Sequence, residues 1–113
     1  MANLIFNSQV GNTLPMSYGS VSKAYPTDAD YTSLVTEYVN RHITMTGTMT
    51  TTKKLIMPIT AGAEHVFTNS VSVGAMNVIG ATGTGFTVAN ARTAIGRCDG
   101  TNWIRVTADS VLT

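Results

Sequence analysis

Charge is what this sequence has least of. Lys, Arg, Asp and Glu make up 12% of its 113 residues, about half the share of an average soluble domain. Seven basic residues against six acidic ones leave a net charge of +1, and the densest basic cluster is the pair Lys53–Lys54. A nucleic-acid binder needs a basic stripe to displace counterions, so that function is set aside. Long apolar runs are also missing: nothing approaches the ~20 residues of a membrane-spanning helix. The opening Met1-Ala2-Asn3-Leu4-Ile5-Phe6-Asn7 has no basic flank and too short an apolar stretch for a secretory leader. A reducing cytoplasm is therefore the expected site of maturation. The one cysteine, Cys98, fits that compartment and excludes an internal disulfide.

In place of charge the sequence uses Thr, Ser, Asn and Gly. Hydroxyls and amides keep a surface wet, and they hydrogen-bond across a subunit contact without the desolvation cost of an ion. Interface cores are depleted in charged residues, so the composition suits a chain that lives in an assembly. It equally suits a β-protein with Thr-rich exposed faces. At 113 residues there is room for one hydrophobic core and not for two.

The chain divides near residue 28. Residues 1–27 hold one charge, Lys23, and two of the three prolines, Pro15 and Pro26. Leu4, Ile5 and Phe6 are long enough for a short strand, and the rest reads as extended chain. Such a segment builds no core alone, yet Val10, Leu14, Met16, Tyr18, Val21 and Tyr25 make it too apolar for a solvated tail. It is expected to be an extended N-terminal arm, with Leu4, Ile5, Phe6, Val10, Leu14, Met16, Tyr18 and Tyr25 as its partner-binding residues. Residues 28–113 form the domain.

Within the domain the punctuation is regular. Residues 31–39 place Tyr31, Leu34, Val35, Tyr38 and Val39 at helical spacing, but their β-branched and aromatic content favours a strand, which is the expectation. Strands are then expected at 42–46, 54–57, 65–69, 76–79, 86–88, 93–98 and 103–107, most of them separated by Gly- or Pro-containing turns. Asp99-Gly100-Thr101-Asn102 reads as a four-residue hairpin loop. Short strands at such spacing define an all-β chain, a single small β-sandwich or jelly-roll-like domain. In the final hairpin Ala94, Gly96 and Cys98 share one face by the period of two, a small-residue face suited to close approach of another layer. Cys98 is thus expected in the core.

Motifs for chemistry are weak. Gly80-Ala81-Thr82-Gly83-Thr84-Gly85 has the glycines of a phosphate loop, but a strand and not a helix follows it, and no Gly-Lys-Ser/Thr is present. His42, His65 and Cys98 lack zinc-site spacing. No nucleophile elbow exists. The six carboxylates sit mostly in turns or at segment ends, with no pairing that suggests acid–base work. No catalytic, cofactor or metal residues are assigned, and the chain is expected not to be an enzyme. The threonines at 44, 46, 48 and 50 to 52 read as a polar, solvated or subunit-facing edge, and the methionines as core filler.

Residues 43–107 resemble a β module of tailed-phage virion proteins. The features that carry the resemblance are Thr46-Gly47-Thr48-Met49-Thr50, Lys54-Leu55-Ile56-Met57-Pro58, Val66-Phe67-Thr68-Asn69, Gly83-Thr84-Gly85-Phe86-Thr87-Val88 with Arg92-Thr93-Ala94, and Cys98-Asp99-Gly100-Thr101-Asn102. Similar modules occur in tail fibres and in capsid decoration or head-fibre proteins, often as trimers. The resemblance implies a non-enzymatic virion component, a homotrimer that contacts the major capsid protein or another virion protein. A short chain that opens on its own Met1 suits a decoration protein anchored by its arm. A tail-fibre or receptor-binding module is the alternative, favoured by a groove near loops 80–85 and 99–102.

Overall fold

A computed structural model describes residues 17–26, 28–71 and 73–111. The chain is all-β, with two sheets packed face to face around one core. Among the described residues ten strands follow in order: β1 Ser17–Ala24, β2 Tyr31–Thr32, β3 Asn40–Thr46, β4 Lys53–Ile56, β5 Glu64–Asn69, β6 Met76–Ile79, β7 Phe86–Val88, β8 Arg92–Cys98, β9 Trp103–Arg105 and β10 Ser110–Val111. A single helical turn, α1 Val35–Tyr38, lies between β2 and β3.

The order within the sheets shows how the chain travels. One sheet runs β1-β3-β5-β8-β10 with β9 also on β8, and the other runs β2-β4-β6-β7. From β1 to β6 the chain alternates between sheets, and every pairing in that stretch is parallel. It therefore winds as a coil: Ile43 lies beside Val21 one turn earlier, and Phe67 beside Ile43. A strand of the opposite sheet serves as the crossover that parallel neighbours require. After β6 the pattern ends. β7, β8, β9 and β10 add antiparallel and close that end of the coil.

The alternation of each strand sends one set of residues inward. Ile43, Met45, Phe67, Ala94, Cys98 and Trp103 come from the six-stranded sheet, and Leu55, Met76, Val78, Phe86 and Val88 from the other. Met45, Met49, Met57 and Met76 are all buried core, as gap-fillers between the two layers. The small face of β8 works as its sequence suggests. A Cβ on Gly96 would lie 2.3 Å from ring carbons of Phe86, so only glycine lets the opposite sheet come this close. Cys98 is fully buried.

Two expectations change. Residues 31–39 are not one strand. After β2, the Glu37 carboxylate accepts the Leu34 N–H at 2.8 Å, and Asn40 Nδ2 donates to the carbonyls of Thr36 and Glu37 at 2.9 and 3.1 Å. These bonds close one helical turn at both ends, and they outweigh the β-preference of Val35 and Tyr38. The arm also does not extend to residue 27. Ser17–Ala24 pairs with β3 as the first strand of the six-stranded sheet, and the Tyr25 N–H donates to the Thr46 carbonyl at 2.9 Å. The domain takes in this stretch because β3 supplies a parallel partner for its backbone.

Candidate functional site

All six carboxylates of the sequence are held by the fold. Asp28 accepts from the N–H and hydroxyl of Thr50, at 3.0 and 2.6 Å, and pairs with Lys53 at 3.8 Å. Asp30 accepts the Lys54 N–H at 2.8 Å. Glu37, buried, also receives the Tyr31 hydroxyl at 2.7 and 2.8 Å. Glu64 pairs with Arg41 at 3.1 Å. Asp99 accepts the N–H groups of Thr101 and Asn102 at 2.9 and 2.7 Å and so fixes the hairpin loop. Asp109 binds Arg105 and accepts the Ala89 N–H. The separations of 22, 24 and 23 residues for Asp28–Thr50, Asp30–Lys54 and Arg41–Glu64 are each one turn of the coil. These charges staple successive turns together.

The environments follow from those bonds. Hydrogen bonds from Thr50 hold the Asp28 carboxyl below its usual range, and the Asn102 and Thr101 N–H groups do the same for Asp99. Desolvation, then the bond to Glu37, pushes the Tyr31 phenol up to about 12. No carboxylate is poised as a free base beside a nucleophile.

The two histidines face opposite ways. His42 is exposed on the outer face of the six-stranded sheet, whereas His65 is buried, its Nδ1 donating to the Asn40 carbonyl at 2.7 Å. Its ring stacks at 5.7 Å from Phe67 and 6.0 Å from Trp103. His42, His65 and Cys98 therefore do not converge, and among the described residues no three His, Cys, Asp or Glu side chains come together. Burial lowers the His65 imidazole from 6.5, partly offset by its bond to Asn40. Unfolding thus takes up a proton below that pH. Stability contributed by neutral His65 is complete above 6.5 and falls as pH drops toward the lower native value, by at most about 1.4 kcal/mol per pH unit. Urea titrations between pH 7.5 and 5, within the range titrated by unfolded histidine, are expected to show that slope, and His65→Gln to flatten it.

The glycine-rich stretch 80–85 is the β6–β7 hairpin connection. It packs on loop 99–102: the Thr84 N–H donates to Asn102 Oδ1 at 2.7 Å, and the Trp103 N–H to the Thr84 carbonyl at 3.0 Å. Gly83 has φ +82, and a Cβ there would lie 2.3 Å from the Thr101 carbonyl oxygen. The loops close on each other. The threonines do not form an edge either. Thr44 and Thr46 point outward from β3, which has β1 on one side and β5 on the other, while Thr50 serves Asp28.

Of the arm residues, Leu4, Ile5, Phe6, Val10, Leu14 and Met16 lie outside the described residues. Tyr18 belongs to β1. Tyr25 is 5% exposed in the chain's own core and so does not offer its ring to a partner.

Two residues of consequence escape the sequence reading. Asn69, fully buried, donates from Nδ2 to the carbonyls of Gly74 and Val88 at 3.2 and 3.0 Å and accepts the Val71 N–H at 3.2 Å. An amide at an inward position of a strand, just before a turn, is the signal that would have marked it. Arg105 lies over the Phe86 ring at 5.2 Å and donates to the Thr87 carbonyl and to Asp109. It seals the exposed backbone of β7.

The fold and these contacts define a class: a small two-sheet β coil, stapled turn to turn by its own charges. Comparison with protein-family models, curated proteins and solved structures finds no match to this chain.

Proposed function

We propose that this protein is a structural component of a tailed-phage particle, which decorates and stabilises the capsid through protein–protein contacts. The observation that carries the reading is the use of charge. Each carboxylate is engaged by a backbone or side-chain partner, His65 and Cys98 are buried, and charged residues are only 12% of the sequence, so the molecule presents β faces low in charge, with Lys54 and Arg97 among the exposed cations. Low-charge, hydrogen-bonding surface suits repeated contact with other subunits. The resemblance of residues 43–107 to phage virion modules gives the assembly. Many copies on a lattice gain avidity, and no active site is needed.

Residues 1–16 supply the capsid anchor in this reading, since β1 begins at Ser17. The test is co-sedimentation with empty capsids of the phage that encodes the chain. The full chain is expected to pellet with the shells. A chain lacking residues 1–16 is expected to keep a cooperative thermal transition and to remain in the supernatant. A truncated chain that saturates shells like the full chain would sink the anchor. A full chain that ignores shells and adheres to bacterial cells would move the assignment to a tail-fibre or receptor-binding module.

A further inference from the structure

A strand at the edge of a sheet offers backbone N–H and C=O groups to any chain that can pair with it. Among the described residues five strands have a partner strand on one side only: β1, β9 and β10 in one sheet, β2 and β7 in the other. Four of them are poor templates. β2 and β10 are two residues long, β7 and β9 are three, and Arg105 donates to the Thr87 carbonyl of β7. β1, with eight residues, is the long edge, and it lies at the end of the coil opposite the closing strands.

The single charged residue of β1 is Lys23, and it points inward. Its register partner is Met45, which is buried, and neighbours in register share a face of the sheet. The Lys23 ammonium lies over the Tyr31 ring at 5.4 Å, between the two sheets. Val21 on β1 and Tyr31 on β2 pack against the core from the same end. The next two positions in the row of Lys23 are Met45 and Asn69, both uncharged and buried. The last inward layer of the coil is thus apolar and aromatic except for one cation. Among the described residues no carboxylate pairs with that cation, and the Tyr31 hydroxyl beneath it is given to Glu37.

Lys23 is tolerated there because its stem covers the ring while its head reaches water, and the residue is only half-buried. A second coil set against β1 would take that water away and enclose the ammonium in an apolar layer without a counter-charge, which is strongly unfavourable. The contact most open to β1 is with another β1, since an edge is complementary to itself. A two-fold axis would join the two strands antiparallel and bring two enclosed cations to one layer. We propose that Lys23 is the group that keeps the open end of this coil from joining the open end of a second copy. An inward-pointing charge is a known way to protect a sheet edge. The device acts in the free chain, with no shell present, and so stands apart from the capsid reading.

The test compares full-chain variants by light scattering and sedimentation, with amide hydrogen exchange to locate any new contact. Lys23→Met keeps the stem and removes the charge. It is expected at twice the wild-type mass, with the amides of β1 exchanging at least about tenfold more slowly than in wild type. Lys23→Arg keeps the cation and is expected at the wild-type mass. Lys54→Met, at an exposed, outward position of β4, removes the same single charge from a net +1 and is also expected at the wild-type mass. If Lys23→Met loses its cooperative thermal transition, Lys23→Gln decides, and it is expected to double in the same way. A folded, neutral variant of Lys23 that keeps the wild-type mass at all concentrations would overturn the proposal. So would doubling by Lys23→Arg or Lys54→Met, or a doubling that leaves exchange in β1 as it is in wild type.

Discussion

Replacing Phe67 with alanine is expected to remove about 3–5 kcal/mol of stability, among the largest losses from a side chain in the core. Phe67 is fully buried at the centre of a ring cluster. It lies 5.7 Å from Trp103 and 5.9 Å from Phe86, edge-on to both, and 5.7 Å from His65. The cluster joins β5, β7 and β9, so it ties both sheets to the strands that close the coil. Alanine leaves a cavity that cannot collapse readily, because Phe86 is already pressed against Gly96 and the backbone of β5 is paired on both sides. Domains of this size have total stabilities of about 5–15 kcal/mol, so the variant sits near the threshold of folding. The melting temperature is expected to fall by about 12–20 °C, read by circular dichroism. Val35→Ala, at an exposed position of α1, is expected to change stability by less than about 0.5 kcal/mol. A similar loss for the two variants would show that the ring cluster does not hold the sheets together.

Asn69→Leu is the second large effect, and its origin is polar. Leucine has nearly the right size, but it leaves the Gly74 and Val88 carbonyls and the Val71 N–H without their partner. An orphaned buried group costs about 1–3 kcal/mol. Since neighbouring losses are not additive, a total of about 3–5 kcal/mol is expected. Asn69→Asp separates the contributions. It keeps an acceptor for Val71 but points oxygen at two carbonyls, so its carboxyl titrates above the usual range in the folded state. Its stability deficit is therefore expected to deepen as pH rises from 4 to 7, across the unfolded carboxyl's range. Urea unfolding at the two pH values checks this, and equal deficits would show that Asn69 acts through its volume alone.

Strand positions were legible because Gly and Pro break the alternation at nearly every turn. The stretches 76–79 and 86–88 match β6 and β7 in the structure, and the others agree within a few residues. The inward face of β8 was legible too, since Ala94, Gly96 and Cys98 alternate with larger residues. Partner choice was not. A period of two says which way a side chain points and nothing about which strand lies beside it, so the parallel coil is invisible in any one window. The same holds for the staples, whose partners are a full turn away. β1 reads as arm in the sequence because Ser17, Gly19, Ser20 and Ser22 dilute its β-character, and its order comes from pairing with β3. In residues 31–39 the helical spacing was present, but the deciding bonds to Glu37 and Asn40 were side chain to backbone.

The winding has a consequence for how such a molecule can change length. Ile43 follows Val21 by 22 residues, and Phe67 follows Ile43 by 24. One extra residue inside a strand would turn every inward side chain beyond it to the outside, whereas a whole additional turn would slip between existing ones and leave each neighbour in register. Length in this architecture is therefore quantised: the chain can be made taller by complete turns without redesign of the core, the staples or the closing strands.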